Sequence, residues 1–198
     1  NRFQSKGKRI VKNTDLGILI AKKNYSESSL ILTFYTELNG LSSFIFKGAR
    51  KKKLAIFHLG IYELTFFKRA ESELGIINAM DLALPLSEIY SNPQKTILCF
   101  FIADVLKQTL KVEGRDALIF KFLREKICLL EVKTDLYTFP LEFLTGLIVN
   151  LGYLPHFEEA NASYFDLQKG VFTAIESPYS CFVDEQSVEQ LKTYFEGN

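Results

Sequence analysis

SLILTFYTELNGLSSFIFK, residues 29–47, reads as two apolar strands joined by a turn. Along the first strand the side chains alternate: Leu30, Leu32 and Phe34 face one way, Ile31, Thr33 and Tyr35 the other. The turn is ELNG (37–40), where Gly40 can take the positive φ that tight hairpins require. A strand-like stretch precedes this hairpin, DLGILIAKK (15–23), and two follow it, LGIYELTFFKR (59–69) and ELGIINAMD (73–81). Five short strands in about seventy residues predict a small closed barrel of the OB type. An SH3-like barrel would give the same pattern, and strand count alone leaves both open.

After Asp81 the period changes from two to helical. Asn92 can cap the free N–H groups of a helix whose first turn accepts Pro93, and Ile97, Phe100, Phe101, Val105 and Leu110 then recur at helical spacing. RDALIFKFLREKICLLE (115–131) predicts a second amphipathic helix with Asp116 near its start and Leu118, Phe122, Ile127 and Leu130 on one face. FPLEFLTGLIVNLGYL (139–154) predicts a third, closed by Gly152 and stopped by Pro155. A hairpin is expected over 164–174 and a last helix over about 187–195. The fold class is therefore α+β: a five-stranded OB-fold barrel over 1–82 packed directly on a mainly helical domain over 83–198, with no flexible linker between them.

Several classes are disfavoured. The 47% hydrophobic content of 198 residues, with 5 prolines, supports a buried core. The longest uncharged apolar run, Thr96 to Ala103, is far short of the ~20 residues a membrane helix needs. No segment combines a basic start, an apolar run and a small-residue cleavage site, and three widely spaced cysteines offer neither a disulfide framework nor a CxxC zinc pair. The reading is a cytosolic, soluble protein. The chain begins with Asn1 rather than Met, so a few residues are expected to be missing from its start. GxxxxGK[ST], GxSxG and HExxH are all absent, and His58 has no nucleophile or carboxylate at a telling spacing. Glu27 reads as a turn-bonding residue rather than a catalytic one, and Cys99 and Cys128 read as small core residues. No enzyme activity is expected, and no cofactor.

The net charge of +1 hides a division: residues 1–80 hold 14 Lys and Arg against 6 Asp and Glu, and residues 81–198 hold 10 against 17. Lys47, Arg50, Lys51, Lys52 and Lys53 form one cluster within FKGARKKK (46–53), without an acid among them. Such a cluster favours a polyanion-binding rim over a merely solvated sheet, and Gly48 lets the backbone approach a phosphate. Lys22, Lys23, Lys68 and Arg69, at strand ends, are second-tier candidates. Nothing in the segment looks built to read base edges, so binding should be indifferent to sequence. Tyr35, by strand alternation, is the candidate for stacking on unpaired bases, whereas Phe44, Phe46 and Phe66 are expected in the core.

At this point YSESSLILTFYTELNGLSSFIFKGARKKK (25–53) resembles the N-terminal signature of the bacterial RecO family of DNA-repair recombination mediators. The shared frame is Tyr25, Glu27, Thr36, Gly40 and Lys47-Gly48-Ala49-Arg50, and LGYLP (151–155) is a second landmark. The similarity runs from about Val11 to Phe172. It implies an OB-fold followed by helices, binding to single- and double-stranded DNA, and annealing of strands. It also implies association with RecR and with the C-terminal tail of single-stranded-DNA-binding protein, indirectly serving RecA, in the bacterial cytoplasm near the nucleoid. That tail would enter a hydrophobic groove edged by cations drawn from Lys107, Lys111, Arg115, Lys121 and Arg124.

Two departures stand out. Many RecO-like proteins carry a four-cysteine zinc site after LGYxP, and here HFEEANASYFDLQKGVF (156–172) has no cysteine, so a metal-free protein is expected. Relatives also usually continue with a further helix beyond the position of Asn198. Alternatives to the mediator reading are a general OB-type module for RNA or DNA and a scaffold gripping an acidic protein.

Overall fold

The computed structural model describes residues 11–51, 54–68, 72–110, 114–153, 155–157, 162–175, 182–183 and 185–196. Five strands, β1 (Val11–Asn24), β2 (Leu30–Thr36), β3 (Gly40–Phe46), β4 (Ile61–Lys68) and β5 (Leu74–Leu82), close into a barrel in the order β1-β2-β3-β5-β4. β1 is long enough to serve two partners: its first part pairs with β4 and its last with β2, and a register shift between Leu19 and Ala21 bends it between them. β5 runs parallel to β3 and antiparallel to β4. This crossed order is the Greek-key barrel of the OB type, and the SH3-like alternative falls away.

The interior follows from alternation. Leu32 and Phe34 of β2, Phe44 and Phe46 of β3, and Tyr62, Leu64 and Phe66 of β4 form the barrel core. The rings pack edge to face, with Phe34–Phe44, Phe34–Tyr62 and Phe44–Phe66 centroids 6.1, 6.0 and 4.7 Å apart. Gly75 is where the Phe44 ring lies against β5, since a Cβ there would sit 2.5 Å from its Cδ1. At the β2–β3 turn Gly40 has φ +63, and the buried Asp15 carboxylate ties the turn to β1 by accepting from Leu38 N (3.1 Å) and Asn39 Nδ2 (2.7 Å).

The helical elements begin where capping chemistry places them. Helix α1 (Ser87–Ser91) was not anticipated from sequence; α2 (Pro93–Thr109) and α3 (Ala117–Val132) were. Asn92 accepts from Gln94 N at 2.9 Å, and Asp116 accepts from Leu118 N at 2.8 Å and Ile119 N at 3.2 Å. The Glu131 carboxylate on α3 accepts from Glu88 N and Ile89 N, both at 2.9 Å, and so caps α1, while buried Lys95 donates to Glu131 O at 2.6 Å. α2 packs on β1 and α1, and α1 packs on α3. The buried face of α2 is Cys99, Ile102, Ala103 and Leu106; Ile97, Phe100 and Phe101 are exposed, as is Leu118 at the start of α3.

Barrel and α1–α3 belong to one compact unit, residues 1–134; residues 135–198 make a second. Secondary-structure type changes near residue 82, but the chain's contacts divide later, after α3. The second unit holds α4 (Phe139–Asn150), a sheet in the order β6 (His156–Phe157), β8 (Val171–Thr173), β7 (Tyr164–Asp166), β9 (Phe182–Val183), and α5 (Glu185–Glu196). α4 stops at Asn150, and Gly152, with φ +82, closes it. The expected hairpin is β7–β8, where buried Asp166 accepts from Gln168 N and Lys169 N at 2.9 and 3.0 Å. Phe172 and Val188 centre this unit's core.

Candidate nucleic-acid interface

Strand register brings the candidate cations to one lip of the barrel. Asn24 at the end of β1 pairs with Leu30 of β2, which pairs with Phe46 at the end of β3. Lys22 and Lys23 therefore lie beside the segment that leaves β3 with Lys47, Arg50 and Lys51. Gly48 turns this segment with φ +75; a Cβ there would meet nothing within 4 Å, so the backbone angle rather than crowding favours glycine. Ala49, 2% exposed, then pins the loop into the barrel core.

Arg50 does two jobs. Its N–H donates to Ser28 O at 3.2 Å and its Nη1 to Ser26 O at 2.8 Å, fastening the β1–β2 turn to the β3–β4 loop. The side chain is nevertheless exposed, and its planar guanidinium carries more donors than the one bond from Nη1 uses. The turn itself is closed by Ser29 N donating to Ser26 Oγ (3.1 Å) and by Tyr25 N and Ser26 N donating to Ser29 O. Glu27, expected to bond this turn, is exposed and takes no part; Ser26 and Arg50 hold it instead.

Lys23, Lys47 and Lys51 are exposed and make no ion pair among the described residues, while Lys22 donates to Ile56 O at 2.8 Å. Lys52, Lys53 and Arg69 lie outside the described residues. Lys68 is half-buried and pairs with Val11, at the opposite end of β1 from Lys22 and Lys23, so it is not gathered into this lip.

Tyr35 is corrected. It points away from the barrel interior, as alternation requires, but is 2% exposed, because the segment before α3 covers it and its hydroxyl donates to Asp116 O at 3.4 Å. Burial raises its phenol above the ordinary value. The rest of that outer face is aliphatic or hydroxylic, with Ile31 opposite Ile45 and Thr33 Oγ1 3.0 Å from Ser43 Oγ. The exposed aromatic at the lip is Tyr25, 56% exposed in the β1–β2 turn, which sequence reasoning passed over. Beside it Lys22, Lys23, Asn24, Leu30, Leu54 and Ile56 line a cleft of about 340 Å³. No periodicity marks it, because its walls come from a strand end and an irregular loop.

The remaining reactive groups are quiet. His58 Nδ1 donates to Ile20 O at 3.2 Å and its ring lies 5.2 Å from that of Phe100; burial, with Lys22 adding to it, holds the imidazole below its ordinary pKa. Cys99 is buried, its thiol pushed up to about 12 mainly by that burial. Cys128 is exposed rather than in the core, since Ile127 and Leu130 take the inner face of α3. It lines a groove of about 500 Å³ with Glu37, Phe120, Lys121, Arg124 and Glu125. Of the five cations named for a peptide groove, Lys121 and Arg124 line this one, Lys107 and Arg115 do not, and Lys111 lies outside the described residues. Among the described residues no three His, Cys, Asp or Glu side chains are grouped to hold a metal, and no helix is long and apolar enough to cross a membrane.

Comparison with known proteins agrees with this architecture. Residues 11–85, the barrel, match the family described as recombination protein O N terminal. The chain is 29% identical over 167 residues to the DNA repair protein RecO of Azobacteroides pseudotrichonymphae, covering 81% of this chain and 69% of that protein. It is 28% identical over 162 residues to the RecO of Flavobacterium johnsoniae, covering 79% and 68%. Against the RecO of Christiangramia forsetii it is 23% identical over 183 residues, covering 89% and 76%. The barrel thus matches that family's N-terminal model, and the similarity to RecO proteins continues through the helices.

Proposed function

We propose that this chain is a DNA-repair protein that binds single- and double-stranded DNA through the barrel lip, without catalysis and without reading sequence. The observation that carries the reading is the gathering of Lys22, Lys23, Lys47, Arg50 and Lys51 at one edge, with three of the lysines unpaired among the described residues. Cations set on a rigid scaffold displace condensed counterions from a phosphate backbone, and that release is indifferent to base identity. Each carries a point charge or a guanidinium fork suited to phosphate oxygens. Such a lip can hold one strand; juxtaposing two for annealing needs a second cationic surface or a second copy of the chain.

The same reading extends to partners. RecR and the acidic, apolar-ended tail of single-stranded-DNA-binding protein are the proposed protein ligands, with RecA served indirectly. The proposed seat for that tail is the groove lined by Phe120, Lys121 and Arg124, where Glu37 and Glu125 share the lining and Lys121 lies 3.9 Å from Glu125. Fluorescence anisotropy titration of labelled single- and double-stranded DNA at two salt concentrations tests the central claim. The expected result is saturable binding of both, weakening steeply with salt. A protein that binds neither at moderate salt would be a scaffold for an acidic protein instead, and the DNA reading would fall.

A further inference from the structure

We infer that the cleft between the end of β1 and the β3–β4 loop is a seat for an unpaired nucleobase, giving the lip a single-strand component that phosphate contacts alone cannot supply. The inference rests on the DNA-binding reading above. The composition of the cleft carries it. Of its six lining side chains three are aliphatic: Leu30, Ile56, and Leu54, the last 43% exposed at the mouth. A phosphate gains nothing from such walls, since an anion on an aliphatic surface loses water without a partner. A base has two apolar faces and a polar edge. Leu54 and the half-buried Leu30 can meet the faces, while Ile56, 6% exposed, belongs to the barrel core. The Asn24 amide can donate to or accept from the edge, and Lys23 is left for the adjoining phosphate. The floor is already ordered, because Lys22 Nζ donates to Ile56 O at 2.8 Å.

Size supports the same occupant. The cleft's 340 Å³ lies near the lower end of the ~300–1,000 Å³ range of small-molecule sites, enough for a base with part of its sugar. In a duplex the faces of each base are covered by neighbouring pairs, so only an unpaired base can enter. Tyr25, next in the chain after Asn24 and 56% exposed, offers an aromatic face at the same turn for a second base. Its backbone is fixed by its N–H donating to Ser29 O at 3.1 Å. Stacking of this kind tolerates every base, which keeps the contact independent of sequence.

The test uses the whole chain and three probes of equal length: an oligothymidine, an abasic strand with the same phosphates, and a duplex. The parent should bind the oligothymidine about tenfold more tightly than the abasic strand at one salt concentration. The double variant Tyr25→Ala, Leu54→Ser, altered only at exposed positions, should bind both strands equally and the duplex as the parent does. A parent that does not distinguish the abasic strand, or a variant that loses duplex and single-strand binding in equal measure, overturns the base seat while leaving phosphate binding intact. A parent that binds none of the probes overturns the DNA-binding reading and the base seat with it.

Discussion

His58 shows how one side chain can join a loop to a barrel without doing chemistry. Its Nδ1–H is held by Ile20 O, its ring meets Phe100, and its surroundings disfavour the charged form, burial most of all. The sign of the consequence follows. With the folded pKa depressed below the ordinary 6.5, the unfolded chain takes up its proton first as pH falls. His58 therefore contributes stability that is present above about pH 6.5 and is lost as the pH falls below it toward the lower folded value. His58→Gln should make the urea midpoint less sensitive to pH between about 7 and 5 than that of the parent. Identical pH dependence in parent and variant would mean that His58 does not titrate differently on folding. None of this was visible in the sequence, where His58 was only a histidine without a catalytic partner. Its carbonyl acceptor lies 38 residues away along the chain.

At the scale of elements, local chemistry was legible and long-range covering was not. The ELNG hairpin, the cap at Asn92 and the closure at Gly152 are fixed by residues within a turn of one another and were read as such, and Asp116, read only as lying near the start of its helix, proves to be its cap. Tyr35 obeyed its strand's alternation yet is shut off by a residue 81 positions later. The exposed row on α2, Ile97, Phe100 and Phe101, shares its period with the buried row, so spacing alone cannot say which side faces the barrel. α1 is too short to carry a periodic signal and is capped from a distance by Glu131. The cap at α3 gives the prediction that belongs here. Asp116→Ala removes the acceptor for Leu118 N and Ile119 N and should lower stability by about 1 kcal/mol, read as a shift of the urea midpoint at unchanged slope. The backbone carbonyl that meets Tyr35 survives the change, so Tyr35 should remain buried, with its fluorescence unaltered. A midpoint that does not move would show the cap to be dispensable.

Across the whole chain, the charge division proves sharper in the structure than in the sequence. Split after residue 80, the halves carry +8 and −7; split where the contacts divide, residues 1–134 hold 22 Lys and Arg against 13 Asp and Glu, and residues 135–198 hold 2 against 10. The acidic excess thus lies in the second unit and not in α2 and α3, which join the barrel in a unit of net +9 opposed to −8. The net charges should draw a polyanion to the first unit and repel it from the second, so the proposed phosphate contacts are expected on the first. The consequence is a salt dependence that the lip alone should set. Replacing Lys51, Lys52 and Lys53 together by Ala should weaken binding of any sequence. It should also flatten the slope of log affinity against log salt on duplex by about 0.9 for each lysine that had neutralised a phosphate. Lys169→Ala is the matched control, since this lysine lies in the acidic unit 3.7 Å from Asp166 and should leave the slope where it was. Anisotropy titrations across a salt series decide it: a triple variant with the parent's slope would mean that residues 51–53 form a solvated loop, and that the phosphate contacts lie elsewhere on the basic unit.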